Sequence, residues 1–393
     1  MIFRITGLLT LIVIVLGSDF SVAQENTQHR DQEIAALQEK FETVREEFRN
    51  AVMDVQQLGF RYMNAPNLDE AFPHFDKFEQ KVVDGNAILE RLKPIGLELF
   101  NKLMDRGENV DDELVYFISK LTEDSFNKSQ YALSYSLAEK LVRNNADNKF
   151  AEIYMARTGI LTNRFGEDIA LLIKANKDHF SKEDVVTNPE LILINNIYLL
   201  EDLFKKEQKI REKEAQADNN PMVLLQTNKG DIEIELFEDD APDTVGNIVN
   251  LVEKQHYDGL LFHAVIDKTA AETGIFDKDF KPRPLDYKVY DEDRKRNVFA
   301  GSIVHISPKR HSGDARFFIA LAPLPNVSGT QTVIGRVKTG MDVAYALNKT
   351  HKLEESEAVP IEDVTPDRII TAKVLRKRDH EYSPRKVETE NEE

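Results

Sequence analysis

Tyr257-Asp258-Gly259-Leu260-Leu261-Phe262-His263-Ala264-Val265-Ile266 and, later in the chain, Ala315-Arg316-Phe317-Phe318-Ile319-Ala320-Leu321 carry bulky and β-branched residues in runs of strand length. Such side chains suit a pleated, half-buried surface. Around these stretches the apolar period is two. Val223–Gln226 and Asp231–Leu236 alternate about the turn Thr227-Asn228-Lys229-Gly230, which predicts a hairpin. Further short strands are expected near Leu261–Val265, Gly301–Ile306, Phe317–Ala320, Thr332–Val337 and Ile369–Leu375. Pro242–Gln255 opens on proline and spaces Val245, Ile248, Val249 and Val252 as one helical face; a second helix is expected at Asp342–Leu347.

These two motifs do not stand alone. Gly230-Asp231-Ile232-Glu233-Ile234-Glu235-Leu236-Phe237 and Ala241-Pro242-Asp243-Thr244-Val245-Gly246-Asn247 precede them, and Thr332-Val333-Ile334-Gly335-Arg336-Val337-Lys338-Thr339-Gly340-Met341-Asp342-Val343 follows. In this order and spacing, Met222 to Lys377 resembles the cyclophilins, a family of peptidyl-prolyl cis-trans isomerases. The resemblance implies an eight-stranded antiparallel barrel, closed so that no edge strand remains, with helices at its ends. It also implies proline-containing polypeptides as substrates and no cofactor.

Isomerising an Xaa-Pro bond means crossing a barrier of roughly 18–20 kcal/mol that arises from amide resonance. The catalyst needs an apolar pocket for the ring and a donor aimed at the prolyl nitrogen, whose lone pair localises as the bond twists. In the family an arginine two residues after the motif phenylalanine supplies that donor. Here Phe262 and His263 match, but the arginine position is Ala264. Where the family usually reads Pro-Gly-Phe-Met-x-Gln-Gly-Gly, this chain has Asp267-Lys268-Thr269-Ala270-Ala271-Glu272-Thr273-Gly274. The pocket walls become Thr269 and Ala270, and the backbone-binding glutamine becomes Glu272. Asn326 replaces a common aromatic and Gln331 a common histidine or tyrosine, whereas Phe318 and Val327 keep the apolar floor. The expected binding set is Phe262, His263, Glu272, Arg316, Phe318, Val327 and Gln331. Arg316 stands where the family usually has glutamine. A Glu272–Arg316 charge pair is therefore expected, with Arg316 either a substitute donor or an ion-pair partner that fills the space. His305 and His311 show no metal-ligand spacing.

Upstream lies a helical region, 24–215. Ile34, Leu37, Phe41, Val44, Phe48, Ala51, Val55 and Leu58 form two interleaved series of period seven, a coiled-coil-like stripe. A second tract, Asp69 to Arg106 and interrupted by Pro73 and Pro94, either folds back on the first as a hairpin, the reading taken here, or leaves it to pair between chains. Shorter helices are expected near 112–121, 129–144, 149–162 and 166–175. Phe150 to Ala170 loosely resembles a tetratricopeptide unit, with an irregular helical bundle as the alternative. A last helix from Asn188-Pro189 leads to a polar linker, 216–221. The barrel domain is then 222–378, and 379–393 reads as a disordered charged tail. The fold class is multidomain α plus β.

Residues 1–23 read as a secretory signal: Arg4, an apolar run from Ile5 to Gly17, and Ser21-Val22-Ala23 as a cleavage site. An uncleaved anchor is the alternative. No cysteine is present, so neither disulfides nor thiolate chemistry is available. A net charge of -18 argues against nucleic acid or an anionic membrane surface as a partner. The expectation is an exported isomerase or folding factor, periplasmic or in the cell envelope if bacterial, with weak or lost activity. The alternative is a non-catalytic peptide- or protein-binding module, with the helical region binding a partner or a second copy.

Overall fold

A computed structural model describes residues 3–108, 110–145, 148–166, 169, 193–354 and 357–387, the side chains of 3–29, 68 and 194–195 excepted. The chain divides into two compact units, residues 1–121 with 143–146, and residues 122–142 with 147–393.

In the first unit, α1 (Phe3–Met63) and α2 (Leu68–Asp105) form the expected hairpin. Ile34, Phe41, Val44 and Ala51 of the period-seven stripe are buried, against Leu92, Ile95, Leu99 and Phe100 of α2. Ion pairs Glu33–Lys102, Glu47–Arg91 and Asp54–Lys81, at 2.8, 3.1 and 2.9 Å, fix the antiparallel register. Asn67 caps α2 by accepting from Glu70 N at 3.0 Å. Contrary to expectation, Pro73 and Pro94 do not interrupt it. Proline forfeits one backbone bond, and at Pro94 burial of the flanking Leu92 and Ile95 outweighs that loss. A Cβ on Gly96 would lie 2.4 Å from the Phe117 ring and 2.9 Å from Phe41, so only glycine lets α2 close on this aromatic pair. α3 follows at Asp112–Asn127.

The second unit joins α4 (Tyr131–Asn144), α5 (Lys149–Leu161) and α6 (Ile197–Ala217) to a β-barrel. The helix expected at 166–175, apart from Gly166 and Ile169, and the start expected at Asn188 lie outside the described residues. Twelve strands follow: β1 (Met222–Thr227), β2 (Gly230–Leu236), β3 (Ala264–Ile266), β4 (Ala270–Thr273), β5 (Lys288–Val289), β6 (Ser302–His305), β7 (Phe317–Ala320), β8 (Thr332–Thr339), β9 (His351–Glu354), β10 (Glu357–Pro360), β11 (Ile369–Arg376) and β12 (Lys386–Val387). Helices α7 (Pro242–Glu253) and α8 (Met341–Ala346) are interleaved with them.

Strands β3-β4-β7-β6-β8-β2-β1-β11 make an eight-stranded ring. It closes where Leu261 bridges Arg368, with Phe262 N donating to Asp367 O and Ile369 N to Leu260 O, each at 2.8 Å. Val223, Leu225, Ile232, Ile234, Val265, Ile319 and Ile334 fill the interior beneath α7. Each such side chain, fully removed from water, contributes about 1.5–3 kcal/mol. A β9–β10 hairpin, to which the sequence pattern assigns no element, attaches to β3.

The residues read as a linker are part of this unit. Asn220 is buried and donates to Glu235 at 3.2 Å, and Pro221 O accepts from Leu236 N at 2.9 Å. The buried Arg296 guanidinium lies 3.6 Å from the Phe237 ring centre and bonds Glu207 and Glu214 of α6 as well as Asp240. Aromatic contact continues through Phe204 and Phe165 onto Phe299. The tail read as disordered is also tied down as far as Val387. Tyr382 is buried and donates to Glu238 at 2.6 Å, and β12 pairs with β5. The charged composition of the tail concealed that one aromatic anchor.

Candidate active site

The register across the barrel places Ala264 opposite Glu272, Glu272 opposite Phe318, and Phe318 opposite Val304. Val265, Ala271 and Ile319 point into the core. Because successive side chains of a strand alternate between faces, Ala264, Glu272 and Phe318 share the outer face. There Phe318, Leu324 and Val327 are partly buried against Val298, Val304 and Val333. Phe318 and Val327 of this strip are the two residues read from the sequence as an apolar floor. A Cβ on Gly274 would lie 2.3 Å from Ala315 O, so glycine is required where the segment after β4 passes under the start of the second motif. Tyr257 fixes the same place by donating its buried hydroxyl to Ala315 O at 2.8 Å.

Other expected residues are distributed differently. Phe262 is fully buried inside the barrel, so it supports the site and does not face a substrate. Glu272 does not pair with Arg316. Its carboxylate lies 3.4 Å from His263 Nε2, while Arg316 forms a fork with Asp314, Nε to Oδ1 at 3.0 Å and Nη2 to Oδ2 at 3.1 Å. Burial works against the Asp314 carboxylate, yet Arg316 and Lys288 hold its pKa below the ordinary range. The short Asp314–Arg316 spacing in sequence makes the competing pair local. Gln331 is fixed on the Ser307 backbone, accepting from its N at 3.0 Å and donating to its O at 3.4 Å. His305 is buried with Nε2 3.0 Å from Asp314 O, and burial pushes its pKa down. It is a packed neutral imidazole. Among the described residues, no three His, Asp or Glu side chains converge as a metal site.

One contributor was not anticipated. Thr350 Oγ1 accepts from Val265 N at 2.8 Å and donates to His263 O at 3.1 Å, so it straddles Ala264. The next residue, His351, stands beside Ile266. Only the short alternating runs Lys352-Leu353-Glu354 and Ala358-Val359-Pro360 signal this hairpin in the sequence.

The family described as cyclophilin type peptidyl-prolyl cis-trans isomerase/CLD matches residues 222–374. The peptidyl-prolyl cis-trans isomerase-like 1 of Aspergillus fumigatus is 30% identical over 163 residues, 40% of this chain and 97% of that protein. The chain belongs to the cyclophilin family. A peptidyl-prolyl cis-trans isomerase of Synechococcus elongatus is 34% identical over 115 residues, covering 29% of this cyclophilin and 79% of the relative. A probable peptidyl-prolyl cis-trans isomerase of Brucella suis is 32% identical over 170 residues, 40% of this chain and 84% of that one.

Proposed function

We propose that the barrel binds proline-containing segments on its Phe318 face and isomerises them slowly, and that the protein is an exported folding factor. The observation that carries this reading is the partly buried outer-face row Ala264–Glu272–Phe318 with Val327 beside it. It retains a surface for the ring and lacks the family's guanidinium. Loss of one preorganised donor costs about 10²–10³ in rate. Export rests on the character of residues 1–23. No described helix is long and apolar enough to cross a membrane.

The hairpin supports a partner-binding role for the helical region. Its tip leaves Phe60, Met63 and Phe72 exposed at 65%, 76% and 57%, and exposed apolar clusters of this kind mark interaction sites. The second reading, a non-catalytic peptide-binding module, is favoured by Ala264 and by the charged Glu272 in place of glutamine.

Exchange spectroscopy on a short Xaa-Pro peptide with the full chain tests the choice. Slow acceleration, raised about tenfold or more by Ala264→Arg, is expected. Peptide binding with no acceleration, in both the wild type and Ala264→Arg, would leave the binding module.

A further inference from the structure

The β9–β10 hairpin lies outside the eight-stranded ring and joins it where the family's donor is missing. β9 runs parallel to β3, with His351 beside Ile266. Ile266 and Ala264 share one face of β3. Thr350 holds this register through its N–H to Val265 O at 2.9 Å, together with the two hydroxyl bonds that straddle Ala264. His351 is half-buried, and its Nδ1 lies 2.9 Å from Thr350 Oγ1. His263 and Glu272 are its electrostatic neighbours. His263 Nδ1 is buried without a hydrogen-bond partner, and its Nε2 faces Glu272.

We propose that His351 supplies the N–H donor to the prolyl nitrogen that Ala264 cannot supply. The inference rests on the isomerase reading above. The step makes and breaks no covalent bond: the C–N bond rotates, the nitrogen lone pair localises, and it accepts a hydrogen bond from Nε2–H. With Nδ1 engaged by the Thr350 hydroxyl, Nε2 is the nitrogen left for substrate. Burial and the nearby His263 hold the His351 pKa below its ordinary value, against the pull of Glu272. Other charges on the flanking segments are Lys349 before β9, the Lys352–Glu354 pair within it, and Asp267 with Lys268 in the β3–β4 turn. The imidazolium carries N–H on both nitrogens, whereas the neutral ring carries one. Activity is therefore expected to rise as pH falls.

The test is peptide exchange spectroscopy on the full chain from pH about 8 to about 5.5, where histidine titrates. The wild type is expected to accelerate exchange, with kcat/KM rising severalfold toward low pH. His351→Ala and His351→Gln should lose about tenfold or more at the acid end and flatten the profile. Ala264→Arg added to His351→Ala should restore a rate independent of pH, which also shows that the variant folds. A wild type that catalyses with the same rate and profile as both His351 variants overturns this inference alone. A wild type that never exceeds the uncatalysed rate overturns it together with the isomerase reading.

Discussion

Arg316 and Asp314, two residues apart ahead of β7, close on each other through two parallel hydrogen bonds of 3.0 and 3.1 Å. The Arg316 amide adds a third to Asp314 Oδ1 at 3.0 Å. Such forks combine charge with fixed geometry. The guanidinium's fork is thereby directed to Asp314, with Glu272 acting on it through charge alone, and the Asp314 carboxylate is held below its ordinary pKa. A depressed carboxylate pKa contributes stability above the unfolded-state pKa, and that contribution is lost as pH falls through the folded one. Arg316→Ala should lower stability by about 1–2 kcal/mol at neutral pH, discounted because the guanidinium is partly solvated. The loss should shrink below about pH 4, where the unfolded carboxyl is protonated. Urea denaturation at pH 7 and pH 3.5 measures this; an equal loss at both would contradict the role of the ion pair.

Phe262 and Phe318 have opposite roles despite similar motif settings. Phe262 is fully buried in the barrel, whereas Phe318 is partly exposed on the outer face. Phe262→Ala should cost about 3–5 kcal/mol of stability. Phe318→Ala should cost less than half of that and reduce peptide affinity or kcat/KM about tenfold or more, because it removes the floor on which a proline ring would sit. Thermal denaturation and peptide titration on the two variants separate the roles. A Phe318 variant that binds peptide normally would move the groove elsewhere.

That contrast bears on what could be read before the structure. The barrel was legible because its motifs combine period-two alternation with order and spacing, and because the inward faces of Val223–Leu225 and Ile232–Ile234 are continuous in sequence. The outer row could be named in part, since Phe318 and Ala264 occupy recognisable motif positions. The Glu272–Arg316 pair could not be checked from sequence, since an ion pair depends on which partner lies closer, and Asp314 lies two residues away. His351 and Thr350 were hidden because their role comes from one parallel contact with β3, formed across more than eighty residues of chain. Pro94 misled because a local penalty was read without the burial of Leu92 and Ile95 beside it.

Arg296 sits in a charged run, Asp291-Glu292-Asp293-Arg294-Lys295-Arg296. In the fold it is one of the most buried cations, bonded to Glu207, Glu214 and Asp240. Removing it takes the guanidinium from Glu214 and Asp240 at the seam between α6 and the barrel, while Glu207 keeps its 2.9 Å pair with Arg211. Arg296→Met should therefore destabilise the chain by about 3–5 kcal/mol. Replacing two of the partners together with Arg296, as Glu207→Gln and Glu214→Gln on the Met background, should recover part of the loss, because the carboxylate that then remains, Asp240, is partly solvated. Denaturation of the single and triple variants decides it. A triple variant no more stable than the single would show that packing, not charge, holds α6.

Tyr382 anchors the tail. It is buried, stacks on His380 with ring centres 4.3 Å apart, and its carbonyl accepts from Asn250 of α7 at 3.0 Å. Burial and the adjacent Glu238 carboxylate push its hydroxyl pKa up to about 12. Tyr382→Ala should cost about 3 kcal/mol, as for other large-to-small changes of buried aromatics, and should release residues 379–387 to protease. Tyr382→Phe keeps the ring and removes the hydroxyl's bond to Glu238 and the one it accepts from Arg378 N, at a cost of about 1–2 kcal/mol. Limited proteolysis alongside denaturation checks both. A Tyr382→Ala chain with unchanged stability and an unchanged cleavage pattern would return this segment to the free tail that its composition suggests.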